Sequence, residues 1–361
     1  MKFKGAVFFL ILFIKTINTN GQIDTVLQTQ KSIRPFYVAN LTHQINITPF
    51  VQLASNKFTF NGNKNKLEYS PNEGPSFGLH LQHKWIGFSL TYGPPNLQEK
   101  KKGTSNYTSV ILNSYGKKIG FDVYYLDYRG YYVSNNEGIH ASNPNRNAND
   151  PFPQRNDLHT NTIGTNVYYI LNFKKYSYRS TFVHNEIQKR SAGSIIINGS
   201  VSYYSIQSDS SLIPRFSTEF FQDVSKLANG QFLSVGILPG YSYTLVLKQR
   251  LFLTLSISIG AMYQYQSFNV YSGNELNNKT NNLFLPRAMG RAGFGYNSDF
   301  FYTGISTVAD NYNIKLANGN SLQYMIGNAQ LYFGFRLKVP EKIKEYSSYL
   351  DKVPIISGKP D

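Results

Sequence analysis

Residues 250–268, RLFLTLSISIGAMYQYQSF, are the longest uninterrupted run of strict alternation in the chain. In an extended backbone Leu251, Leu253, Leu255, Ile257, Ile259, Ala261, Tyr263 and Tyr265 share one face. The other face carries Phe252, Thr254, Ser256, Ser258, Gly260, Met262, Gln264 and Gln266, small or polar apart from its ends. A period of two means a strand. Strands of soluble proteins run to about five or six residues, whereas a tilted strand that crosses a bilayer needs roughly nine to eleven. The run therefore reads as one stave of a transmembrane β-barrel.

Composition agrees with a wall that is apolar on one side only: 28 Tyr and 26 Phe against a single Trp, with a mean hydropathy of -0.33. A helical membrane protein would show repeated apolar runs of about 18 residues or more, and none follows the N-terminus. Barrels hide their hydrophobicity in alternation. The alternative is a soluble secreted β-protein, whose strands would be shorter. With no cysteine there is no disulfide framework, thiolate nucleophile or Cys-based metal site. The net charge of +16 has a different meaning at a membrane than in the cytosol. Lys64, Lys66, Lys100, Lys101 and Lys102 fall in expected loops, where they could meet the phosphates of outer-membrane lipid and lipopolysaccharide. No Gly-rich phosphate loop and no basic helix with stacking aromatics is present, so a nucleic-acid partner is not expected. No cofactor is implied.

Residues 1–21 read as a secretory signal: Lys2 and Lys4 form the positive region, residues 6–14 the apolar core, and Thr19 and Gly21 the small cleavage pair. Residues 22–44 are an irregular periplasmic lead-in, 45–339 the barrel, and 340–361 a polar periplasmic tail. An exported protein with no apolar helix that meets a membrane belongs in the outer membrane, inserted there by the barrel-assembly machinery. The expected strands include 45–60, 76–84, 86–92, 105–115, 119–133, 161–173, 176–187, 195–204, 232–247, 286–296, 300–309 and 327–339, besides the opening run. Asn-rich stretches at 134–159, 270–284 and 310–322 read as loops, the first as the main extracellular one.

That makes about thirteen strands, yet single-chain barrels use an even number. Short turns at Trp85, Lys117, Lys174 and 248–250 belong on one side and long loops on the other, and this bookkeeping breaks between Gln188 and Gln231. The expected fold is an all-β, antiparallel up-and-down barrel of about 12 strands, with 14 or 10 as alternatives.

Several stretches resemble a family of Bacteroidota outer-membrane barrels, domain of unknown function 4421. They are Gly116-Lys117-Lys118 followed by Gly120-Phe121-Asp122-Val123-Tyr124-Tyr125, Asn166-Val167-Tyr168-Tyr169, Leu238-Pro239-Gly240-Tyr241-Ser242-Tyr243 and, most strongly, residues 185–194, NEIQKRSAGS. The resemblance covers nearly the whole chain beyond the leader. It implies the barrel and the outer membrane, and no activity.

Among candidate site residues, His184, Glu186 and Ser191 could form a Ser/His/Glu trio of a rim lipid hydrolase. Asp122, Arg179, Arg291 and Arg336 fall on inward faces, where they could pair and close the lumen or line a narrow polar path. About twelve strands leave an interior that side chains or an in-folded loop readily fill. The functional readings are thus a small pore for polar or anionic solutes, a structural or binding barrel, and a rim hydrolase. No metal site is expected.

Overall fold

The computed structural model describes residues 33–341 and 343, apart from 63–64, 136–141, 143–144, 146, 148, 222–223, 273–274 and 317–319. The expected leader, 1–21, lies outside the described residues, as does nearly all of the expected tail. From Arg34 onward the elements are α1 (Arg34–Tyr37), β1 (Val38–Asn40), β2 (Gln44–Asn61), β3 (Lys66–Ser70), β4 (Ser76–His83), β5 (Ile86–Tyr92), β6 (Asn106–Tyr115), β7 (Ile119–Val133) and β8 (Gln154–Ile170). They continue as α2 (Arg179–Phe182), β9 (Glu186–Gln188), β10 (Ala192–Gln207), β11 (Leu227–Leu247), β12 (Leu251–Ser272), β13 (Glu275–Asn297), β14 (Phe301–Lys315) and β15 (Ser321–Lys338).

Among the described residues twelve of these strands close an antiparallel ring: β2, β4 to β8, and β10 to β15, with β15 returning to β2. The opening run lies in β12. Its Leu255, Ile257 and Ile259 are 56–62% exposed, while the alternating Thr254, Ser256 and Ser258 are at most 6% exposed. The outward apolar positions continue round the ring through Ile195, Ile197 and Val201 on β10 and Leu233, Val235 and Ile237 on β11. An apolar belt of that extent suits hydrocarbon, and a closed ring leaves no edge strand there. Polar and aromatic side chains fill the inside.

Short turns gather at one end of the ring and loops at the other. At the turn end the three-residue connection 248–250 carries positive φ at Lys248 and Gln249, 50° and 60°, a primed β-turn closed by the Arg250 amide on the Leu247 carbonyl at 3.2 Å.

Three expectations are corrected. Residues 176–187 are not a wall strand: they enter the lumen, and their removal turns thirteen candidates into twelve. The surplus crossing is therefore upstream of Gln188, not between Gln188 and Gln231. Residues 270–272 and 275–284 are not loop but the tops of β12 and β13, paired from Phe268↔Lys279 to Ser272↔Glu275. Residues 275–282 are exposed on both faces, so backbone ladders hold the ribbon without any apolar period. Likewise most of 310–322 is strand, since Asp310 to Lys315 pair with Ile326 to Ser321.

The ring is uneven. β4, β5 and β6 have 8, 7 and 10 residues, against 21 to 23 in β11 to β13. β2 pairs with β4 at Ile45 to Gln52 and with β3 at Phe58 to Asn61. β3 in turn meets β7 at Tyr69↔Val133 and Ser70↔Tyr132. At the loop end the wall thus passes from β2 through β3 to β7 and bypasses β4 to β6.

Candidate functional site

The lumen is the candidate site, and its geometry is set by what fills it. Where a tight turn would join β8 to β10, the chain instead runs through residues 171–191, and 176–188 are buried inside the ring apart from the half-buried Phe182. Tyr176, Ser177, Tyr178 and α2 are buried. β9 then pairs antiparallel with β1, Val38↔Gln188 and Asn40↔Glu186, so residues 34–40 of the expected lead-in belong to this plug. At its centre Glu186 is 0% exposed. Arg34 donates to its Oε2 at 2.7 Å, and Arg179 and the Ser177 hydroxyl donate to the same carboxylate. Burial alone would raise the Glu186 carboxyl, but the Arg179 and Arg34 guanidiniums outweigh it and hold it down at about 2. Arg179 also donates to the Tyr115 carbonyl at 2.9 Å, tying the plug to the wall.

Arg336, on β15, donates to the His184 carbonyl at 2.6 Å and to Asn297 Oδ1 at 2.6 Å. The His184 ring is buried between Tyr302 and Tyr332, at 4.4 and 4.6 Å between centroids. Burial first, then the Arg336 charge, pushes its pKa well below the ordinary imidazole value. The Ser191 hydroxyl accepts from the Val246 amide at 2.9 Å. Among the described residues no hydrogen bond joins His184, Glu186 and Ser191. His184 and Glu186 are buried inside the turn end of the barrel, Glu186 is engaged by its cations, and Ser191 is half-buried on the Val246 amide, so the three are not brought together.

The wall contributes two further charged cages. Arg291 donates to Asp122 at 2.7 Å, and the Tyr115 and Tyr168 hydroxyls donate to the same carboxylate at 2.7 and 3.1 Å. The Arg291 guanidinium also stands 4.9 Å from the Tyr168 ring centre. Higher up, Arg287, 2% exposed, grips Asp310 with two hydrogen bonds of 3.0 and 2.6 Å and donates to the Tyr312 hydroxyl and Ser200 at 2.5 Å each. Of the four expected lumen residues, Asp122 and Arg291 are brought together on the wall, Arg179 belongs to the plug itself, and Arg336 holds the plug from β15. Asp310 is not legible from the sequence, where 310–322 reads as a loop; Arg287 falls in the expected strand 286–296, and the inward parity it shares with Arg291 is its signal.

The loop end is closed differently. Phe58, Phe60, Tyr69, Tyr131, Tyr204 and Phe232 meet Leu212, Ile213, Phe221 and Val224 of the segment between β10 and β11 in one buried cluster. The Tyr69 hydroxyl donates to the Leu212 carbonyl at 2.8 Å, fastening that segment.

Between the two closures lies a chamber of about 200 Å³, bordered by Thr48, Gln52, Asn56, His80, Asn113, Asp122, Asn166, Arg291 and Tyr332 together with apolar Phe50, Ile111 and Leu126. His80 Nδ1 lies 2.7 Å from the Ser89 hydroxyl.

Among solved structures, the outer membrane protease OmpT from Escherichia coli is similar over 83% of this chain and 98% of its own, at 9% identity and a TM-score of 0.41. The Pseudomonas putida toluene transporter TodX is similar over 82% and 91%, at 8% identity and a TM-score of 0.27. Ail, the attachment invasion locus protein of Yersinia pestis, is similar over 80% and 98%, at 10% identity and a TM-score of 0.20. No curated protein sequence matches the chain. The model of the family described as Domain of unknown function (DUF4421) matches residues 24–337. That match takes in every strand of the ring but the last residue of β15, and the chain belongs to this family.

Proposed function

We propose that this protein is an outer-membrane β-barrel, turn end to the periplasm, whose lumen is occluded at both ends around a polar chamber that holds a small solute. The reading favours a binding barrel over an open diffusion pore. The observation that carries it is the in-folded segment 171–191, locked through a fully buried Glu186 to Arg34 and Arg179. A loop that merely dangled in a water-filled lumen would not need a desolvated carboxylate neutralised by two guanidiniums. The outward apolar belt and the evenness of the ring support a membrane position with both chain ends on one side. The polar groups around the chamber, with charges already paired, suit an uncharged hydrogen-bonding ligand better than a stream of ions.

Planar-bilayer recording on purified protein tests the reading. Wild type is expected to give no conductance steps, and steady single-channel steps would overturn it.

A further inference from the structure

Both axial routes into the chamber are filled, but the wall beside it is not continuous. Residues 53–57 of β2 pair with β15 on one side and, among the described residues, with no strand on the other. β6 pairs with β5 only up to Thr91↔Ser109, while its Asn106 to Thr108 pair with β7 alone. A window is left, framed by β2, β3, β7 and the short ends of β4 to β6. Ala54, Asn56, Thr91, Ser109, Leu126 and Tyr128 surround it and also border the chamber. On the outer face below it, Phe77, Leu79 and Leu81 of β4 and Phe88, Leu90 and Tyr92 of β5 form an apolar groove of about 320 Å³.

What covers the window is loop. Residues 71–75, Pro-Asn-Glu-Gly-Pro, begin and end on residues with no N–H to give a ladder. They are held by side chains: Asn72 Nδ2 donates to the Glu99 and Gly103 carbonyls at 2.8 and 2.5 Å, and Asn72 Oδ1 accepts from the Glu99 amide at 3.1 Å. Glu73 turns inward and accepts from Asn56 at 3.2 Å. Gly74 sits so tightly on the next loop that a Cβ there would stand 2.5 Å from the Leu97 carbonyl oxygen and 3.1 Å from its Cβ. This cover can move without unzipping any strand pair.

We infer that residues 71–75 are a lateral gate, through which a small amphipathic molecule dissolved in the membrane passes between the apolar groove and the chamber. The inference rests on the occluded-barrel reading, and it says where that barrel is loaded. The chamber is somewhat larger than the roughly 150 Å³ cavity that takes up benzene, which sets the ligand at one ring or a short chain. Phe50, Ile111 and Leu126 offer the apolar part its surface. His80, Asn113 and Asn166, all buried, each hold a polar atom with no hydrogen-bond partner among the described residues, and a hydroxyl or amine on the ligand would meet that need.

The chain has no cysteine, so single thiols can report access. Ser109→Cys, in the chamber border, is exposed in proteoliposomes to N-ethylmaleimide, which is uncharged and enters the bilayer, or to a quaternary-ammonium methanethiosulfonate, which stays in water. Modification is read by mass on the peptide carrying residue 109, in protein whose heat-shifted gel mobility shows a folded barrel. The maleimide is expected to react at least tenfold faster than the charged reagent. Asn72→Ala, which removes the side chain that pins the cover to Glu99 and Gly103, should speed it severalfold. Maleimide labelling indifferent to Asn72→Ala overturns the gate. Labelling by neither reagent overturns the gate and leaves the occluded chamber standing. Equal labelling by both reagents overturns the gate and the occlusion together.

Discussion

The two ends of the lumen are shut by opposite physics. At the turn end a single segment is pinned by charge: Glu186 to Arg34 and Arg179, with Arg336 on the His184 carbonyl beside it. At the loop end residues from many strands and one connecting segment are pooled in an aromatic and aliphatic cluster, with the Tyr69 hydroxyl fastening the segment's backbone and the Tyr128, Tyr131 and Tyr324 hydroxyls paired with neighbouring side chains. An ionic lock has few contacts and a strict geometry, so it fixes one register and fails abruptly when a partner is lost. An apolar seal spreads its energy over area, tolerates repacking and fails gradually.

The comparison breaks most decisively in an all-or-none measurement. Two closures in series should make either one sufficient, so Arg179→Ala alone, or replacement of 211–224 by a short Gly-Ser linker alone, should give no conductance steps, whereas the combination conducts. Steps from either single variant would show that the other end is not a seal.

Next in size, Arg179→Ala leaves Glu186 with one cation instead of two and should cost about 3–5 kcal/mol of plug stability, seen as protease cleavage within 171–191. Phe58→Ala at the loop end should cost about 3 kcal/mol, read as a lower unfolding midpoint, and should leave 171–191 protected. Equal protease sensitivity in the two variants would mean the ends are not independent.

Acid should separate the ends as well. The Glu186 carboxyl is depressed in the fold, so its stabilisation is fully present above the ordinary carboxylate value and is lost as pH falls through about 2. Protease access to 171–191 should therefore rise at the acid end of that range while the loop end stays closed. Glu73 has the opposite sign: burial first raises its carboxyl to about 7, against the Asn56 and Tyr128 hydrogen bonds that lower it. The cover over the window is then tightest below the ordinary value and loosens as pH rises through 7, and Glu73→Gln should remove that dependence from the maleimide rate.

Smaller effects complete the set. Tyr168→Phe deletes a hydroxyl that serves both Asp122 and Arg291 and should cost about 1–2 kcal/mol in the unfolding midpoint. Lys57→Ala breaks a half-exposed pair with Glu68 and should cost at most about 1 kcal/mol, less in salt.

Alternation made the ring legible, because a face against lipid and a face against the lumen impose a period of two on every spanning strand. Evenness made the surplus strand detectable without locating it. Residues 176–187 mimic a strand, since Tyr176, Tyr178, Ser180 and Phe182 keep a period of two; partners far off in sequence, Arg34, β1 and Arg336, hold them as a plug. The top of β13 failed the other way, because Asn277, Asn278, Asn281 and Asn282 show no period when both faces are wet. Asp122 and Arg291 were readable from inward parity. Nothing local marks Glu73 or the window, which arise from strand lengths that differ among neighbours.

The seam between β15 and β2, running from Ser321↔Asn61 to Lys338↔Gln44, joins the two most distant parts of the described ring. Every other neighbour in the wall can zip onto a strand already made, but this pairing carries the largest loop-closure entropy and must come last. Until it forms, β2 and β15 both present open edges. The open ring is therefore the stage most prone to pair with another chain, and closing this one seam is what separates a finished barrel from an aggregate.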